Sequence, residues 1–142
     1  MNRQYFYFLV FLLLTIPLTA KADSVADPDL QGTWRVIAGE HGGQPMDAMN
    51  GGTMTIKGDR FRIDTSSGNV LEGQLILNRT VSPATMVMLH DNEVEWHAIY
   101  EVKTDDFRLN YIDAKGPDPM PETFRTTPDT EATVVILKRH SS

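Results

Sequence analysis

The stretch HDNEVEWH, residues 90–97, gathers His90, Asp91, Glu93, Glu95 and His97, the densest set of metal-capable side chains in the sequence. Imidazoles and carboxylates together suit zinc and other divalent metals only where their spacing makes them converge on one point. Asp91-Asn92 reads as a two-residue turn, which sets residue 90 opposite 93, 88 opposite 95 and 86 opposite 97. His90, Glu93, Glu95 and His97 then share an outer face, with the two histidines several residues apart along the ladder. No established zinc pattern has that spacing. The group reads as solvated charge on a sheet exterior, and the expectation is no metal and no cofactor.

Catalytic groupings are equally hard to assemble. The chain has no cysteine. Ser66-Ser67, Ser82 and Ser141-Ser142 fall in turns or the tail, none inside a Gly-x-Ser-x-Gly elbow. Asp105-Asp106 reads as a hairpin tip open to water, where nothing would separate the two proton affinities as acid–base work requires. His41 stands alone in a glycine-rich loop, where it would line an entrance or lie exposed, and NRT at Asn78 matches a glycosylation sequon. The expectation is no catalytic residue, and a protein that is not an enzyme.

The elements that would carry these residues are short extended runs rich in β-branched and aromatic side chains, separated by Gly, Asn, Asp and Pro. They lie at 33–38, 53–57, 60–65, 70–78, 84–90, 94–103, 107–112 and 132–138, with a possible ninth piece at 122–126. Three links are too short for a crossover: Gly58-Asp59, Asp91-Asn92 and Asp105-Asp106. Short links force antiparallel neighbours. Eight meandering strands most readily close into an up-and-down barrel, which removes exposed edges, with a sandwich as the alternative. The fold class is therefore all-β, an eight-stranded antiparallel up-and-down barrel.

Strict alternation assigns the faces. Val94, Trp96, Ala98, Tyr100 and Val102 point one way, as do Phe107, Leu109 and Tyr111, with Arg108 and Asn110 outward. Phe61, Ile63, Met54, Ile56, Leu71, Leu75, Leu77, Trp34 and Val36 complete the inward set. Trp34, Phe61, Trp96, Tyr100, Phe107 and Tyr111 are the candidate ligand-binding residues, lining a cavity for one small hydrophobic molecule. The same six side chains could instead fill the barrel, since eight strands is a size at which either outcome occurs, and strands this short favour a largely filled interior. Met46, Met49 and Met120 would form an adaptable rim. They lie on two long loops, 39–52 with a possible helical turn at 45–49, and 113–131 with four prolines, both expected over the open end.

Composition bounds the partners. The net charge is −6, and no basic run appears, which makes the chain a poor partner for nucleic acid or anionic lipid, and no nucleic acid is expected. Arg3, an apolar run from Tyr5 to Ile16 broken only by Thr15, then Pro17 and Ala20-Lys21-Ala22 read as a secretory signal peptide, 1–22, cut after Ala22. The run is shorter than the roughly 20 residues a bilayer span needs. Residues 23–31 read as a polar leader and 32–140 as one barrel domain. Without a cysteine to carry lipid, no stable membrane anchor is expected after cleavage, and the location is secreted or periplasmic.

Trp34 stands two residues after Gly32, where the first strand begins. A large flat ring there can plug one end of the barrel, its N–H bonded to a carbonyl, with Lys138 or Arg139 laid across the indole. Such a cation–π contact is worth about 0.5–2 kcal/mol. Gly-x-Trp with a basic residue from the last strand is the arrangement of lipocalin-like barrels. LQGTWRV at 30–36, MTIKGDRFRI at 54–63, AIYEVKTDDFRLNY at 98–111, MPETF at 120–124 and VVILKR at 134–139 together make the chain resemble a small lipocalin-like domain family, of unknown function, found mainly in planctomycete bacteria. The resemblance implies the barrel and no activity. The chain departs from that family at Val87, where an acidic residue is common, and lacks the C-terminal helix of true lipocalins. Two functions follow as expectations: a binding module for a small hydrophobic molecule at the open end, or an envelope-protein interaction scaffold with a filled barrel and no ligand.

Overall fold

The computed structural model describes residues 26–141, so the expected signal peptide lies outside the described residues. The strands are β1 (Gly32–His41), β2 (Gln44–Pro45), β3 (Thr53–Lys57), β4 (Arg60–Asp64), β5 (Val70–Asn78), β6 (Ala84–His90), β7 (Glu93–Lys103), β8 (Asp106–Asp113) and β9 (Thr133–Arg139). From β3 onward each pairs antiparallel with the next. β9 returns to pair with β1 from Trp34↔Arg139 to His41↔Thr133, and β1 pairs with β3. Eight strands thereby close into an up-and-down barrel, and the sandwich alternative falls. β2 is a two-residue ribbon on the end of β1, and residues 45–49 carry the anticipated turn as a 3-10 helix at Asp47–Met49.

The tight turns follow local chemistry. Gly58 takes φ 63° between the Lys57↔Arg60 pair, and Asp91 and Asn92 take φ 50° and 63°, the conformation a two-residue hairpin demands. The third turn differs from the sequence expectation by one residue. Asp106 pairs with Lys103 and Lys138, so the loop is Thr104-Asp105, with Thr104 at φ 53°. A β-branched residue is strained there. Thr104→Gly is expected to raise stability by about 1 kcal/mol, read from the shift in urea midpoint; an unchanged or lower midpoint counts against the strain.

Alternation holds except at two bulges. β1 gains Ile37 between the Val36↔Leu137 and Ala38↔Ile136 pairs, and β7 gains Glu95 between Val94↔Leu89 and Trp96↔Met88. An extra residue turns everything beyond it to the other face. Val94, expected inward, is consequently 37% exposed. The same bulge places His97 opposite Val87, not Met86.

Residues 27–31, within the segment read as a polar leader, carry one 3-10 turn and pack onto the barrel base. Asp27 caps the 3-10 helix Pro28–Leu30, its Oδ1 accepting from the Asp29 N–H at 3.0 Å. It is only 3% exposed, and its Oδ2 accepts from the Tyr100 hydroxyl at 3.0 Å and faces Arg79 Nε at 3.4 Å. Leu30 closes over the core, and its carbonyl accepts the Trp34 indole N–H at 2.8 Å. The Arg139 guanidinium lies 4.3 Å from the centroid of the Trp34 ring. It also donates to the carbonyls of Gln31, Asp29 and Thr104 and to Asp105 Oδ1. Gly32, at φ 114°, is needed twice over, because a Cβ there would stand 3.3 Å from Arg139 Nη1. One cation thus ties the N-terminal segment, the β7–β8 turn and β9 across the plugged end.

Burial raises the Tyr100 phenol above its ordinary value, and the Asp27 carboxylate adds to the shift. A raised folded-state pKa contributes stability below the unfolded value of 10.0 that is lost as pH climbs past it. Unfolding is therefore expected to become steeply alkali-sensitive above pH 10. Tyr100→Phe should flatten that dependence while costing about 1.5–3 kcal/mol at neutral pH, measured by denaturation at several pH values. An unaltered alkaline slope in the variant would refute the assignment.

Residues 113–131 correct two expectations. The piece at 122–126 is not a strand, and the segment does not cover the mouth. It straps the outer wall. Asn110 faces outward as expected yet is 1% exposed, because its Nδ2 donates to the carbonyls of Thr123 and Arg125 at 2.7 and 3.3 Å. The Arg108 guanidinium stacks on Phe124 at 4.0 Å. Thr126 Oγ1 donates to Glu40 Oε1 and accepts from the Gly43 N–H. Beneath the strap the outward-facing Ile99, Ile112 and Val134 are buried, forming a small apolar layer outside the barrel.

Candidate binding site

The aromatic residues sort into two levels. At the base, Trp34 meets Phe107 edge-on at 5.3 Å, and Phe107 meets Tyr100 at 6.4 Å. Phe61 is buried with them. Towards the other end Trp96 and Tyr111 form a separate edge-to-face pair at 6.4 Å. Beside that pair the interior is hollow, with a cavity of 260 Å³.

Of the six candidate residues, Trp96 and Tyr111 line this cavity. Trp34, Phe61, Tyr100 and Phe107 do not; they fill the base. The other inward side chains of the wall are aliphatic or thioether, Met54, Ile63, Leu71 and Met88 above a floor of Val36, Leu109, Val135 and Leu137, and Thr53 and Asp64 also border it. Ala48, Met49 and Gly52 from the β2–β3 connection and Thr65 and Ser67 from the β4–β5 turn frame the mouth. Met49 is the only one of the three proposed rim methionines among the lining residues. Met120 instead borders a separate 410 Å³ groove beneath the strap.

The walls that the sequence reading left out are inward positions in the alternation. Paired rows run oblique to the barrel axis: Trp34 pairs with Met54, Met54 with Ile63 and Ile63 with Leu71, so a row that starts at the plugged base ends in the cup. The cavity arises because four of the six rings, Trp34, Phe61, Tyr100 and Phe107, sit low, whereas at the mouth Gly52 contributes no side chain. A Cβ on Gly52 would meet the Asp64 carbonyl at 3.2 Å.

Few polar groups reach the cup, and most are engaged. Asp64 is clamped by Arg62 through Nε and Nη2, both at 3.0 Å, a contact that holds its carboxyl below the usual range. The Thr65 and Ser67 hydroxyls bond each other at 3.0 Å. The Tyr111 phenol is raised by burial, with the Thr133 hydroxyl close enough to oppose the shift. No Lys, Arg or His is among the lining residues.

The remaining sequence candidates have other roles. His41 sits above the cup at the rim, its Nδ1 3.0 Å from Thr133 Oγ1 and its Nε2 3.6 Å from Glu131. His90 Nδ1 bonds the Glu72 carbonyl at 2.8 Å, and that bond, with Asp91 and Glu95 nearby, raises its pKa. Among the described residues no three of His, Asp and Glu are grouped to hold a metal ion. Asp105 and Asp106 are ion-pair partners of Arg139 and Lys138.

Fold and site together define a class: a closed eight-stranded antiparallel β-barrel, plugged at one end by Trp34 under Arg139 and hollowed at the other into an apolar cup. In comparison with known proteins, the chain matches no family model, no curated protein and no solved structure.

Proposed function

We propose that the protein is an exported, non-enzymatic binding module that holds one compact hydrophobic molecule in the cup. The observation that carries this reading is the 260 Å³ cavity, open at one end and walled by apolar side chains with Trp96 and Tyr111. An apolar cavity of about 150 Å³ accepts a benzene-sized molecule, and sites for larger ligands run from roughly 300 Å³ upward. The size therefore fits one ring with a short substituent. Export rests on the apolar N-terminal stretch.

Titration with compact lipophiles, followed by Trp96 fluorescence, tests the proposal. Saturable one-to-one binding that is lost when Leu71→Trp fills the cup supports it, with folding of the variant checked by circular dichroism. No saturable binding, or binding indifferent to Leu71→Trp, overturns it. The rival role, an envelope interaction scaffold, draws on the groove between strap and wall. The hollow upper barrel favours the ligand.

A further inference from the structure

The polar groups of the cup narrow its ligand beyond "hydrophobic", an inference that rests on the reading of the cup as a binding site. In the lining, Asp64 is held by Arg62, and Thr65 and Ser67 by each other. Thr53, also in the lining, alternates to the outer side of β3 from Met54, which leaves the Tyr111 hydroxyl, with that of Thr133 beside it. The phenol is set in the wall beside Trp96, and its donor contact is a weak one to Met49 Sδ at 4.0 Å. Register places Tyr111, Thr133 and His41 side by side in one row across β8, β9 and β1. The 3.0 Å contact between Thr133 Oγ1 and His41 Nδ1 continues that polar row to the rim. The row gives the polar end of a ligand one hydrogen-bonding side of the mouth on which to settle.

We infer that the cup takes a neutral molecule bearing a single hydrogen-bond acceptor, such as a ketone, ether or alcohol oxygen, on a compact apolar body, and that the Tyr111 hydroxyl reads that oxygen. A carboxylate is disfavoured. An anion entering an apolar site must lose its water, which is costly unless a cation replaces it, and no basic side chain lines the cup. His41, the nearest imidazole on the row, lies outside the lining and already faces Glu131 at 3.6 Å.

Three probes of one shape test this at pH 8: propylbenzene, propiophenone and 3-phenylpropanoate, titrated calorimetrically into the native protein and into Tyr111→Phe. The variant is expected to weaken propiophenone by about three- to tenfold, the range of one hydrogen bond, while propylbenzene stays within about twofold. Phenylpropanoate should bind the native protein more weakly than either neutral probe. Retained propylbenzene binding also establishes that the variant is folded. Equal loss for both neutral probes, no loss for the ketone, or preferred binding of the carboxylate overturns the inference while leaving the cup a binding site. Failure of all three probes to bind the native protein overturns the binding reading and this inference together.

Discussion

Gly73→Ala is expected to destabilise the barrel by at least ~3 kcal/mol, beyond the usual cost of one added methyl in a core. Gly73 occupies an inward position of β5 between Leu71 and Leu75, directly opposite Phe61. A Cβ there would lie 1.8 Å from the Leu89 carbonyl oxygen and 2.8 Å from a carbon of the Phe61 ring. The ring can turn. The carbonyl cannot, because Leu89 is held to Gln74 and sits beside the bulge of β7. The missing side chain is therefore what lets β5 close on β6, with Phe61 covering the gap. Ile76→Ala, on the same strand but exposed, should change stability by no more than about 0.5 kcal/mol. Urea denaturation of both variants decides the point, and a native-like midpoint for Gly73→Ala would contradict it.

Trp34→Ala is expected to cost about 3–5 kcal/mol, the range for emptying a buried aromatic site. Trp34 is 0% exposed, packs on Phe107, and answers the Leu30 carbonyl, which the variant would leave buried and unpaired. Arg139→Met should lose less, but the two losses should not add. A double-mutant cycle is expected to return a coupling of about 0.5–2 kcal/mol for the guanidinium–indole contact. Arg139→Lys should recover little of it. A lysine has no planar fork with which to reach three carbonyls, a carboxylate and a ring face together. Strict additivity of Trp34→Ala and Arg139→Met would mean that the two side chains seal the base independently.

Strand positions and most faces were legible because period-two alternation is written directly in residue type, as in Trp96, Ala98 and Tyr100. The plugged base was legible from Gly32 and Trp34, where one special backbone position precedes one large ring. Bulges were not. An extra Glu95 or Ile37 leaves composition unchanged, and only the partner strand reveals that one residue has no opposite number. Asn110 was hidden for a related reason: a polar residue at an outward position reads as solvated, and its burial depends on carbonyls of Thr123 and Arg125 more than ten residues away. The candidate site was half legible. Alternation names which side of the wall a ring occupies and is silent about its level, so Trp34, Phe61, Tyr100 and Phe107 were grouped with Trp96 and Tyr111. Level depends on register, which sums every turn and bulge between two strands.

The chain has two tryptophans, one under each function proposed for the interior. Nitrogen-labelled protein titrated with propiophenone and followed by two-dimensional NMR tests the division between them directly. The Trp96 indole N–H and the amides of Met49, Leu71, Met88 and Tyr111 should shift together to saturation. The Trp34 indole N–H, bonded to Leu30 beneath Arg139, should hold its position throughout. A Trp34 signal that moves with the ligand, or shifts confined to the strap and outer wall, would contradict a barrel solid at its base and receptive at its mouth.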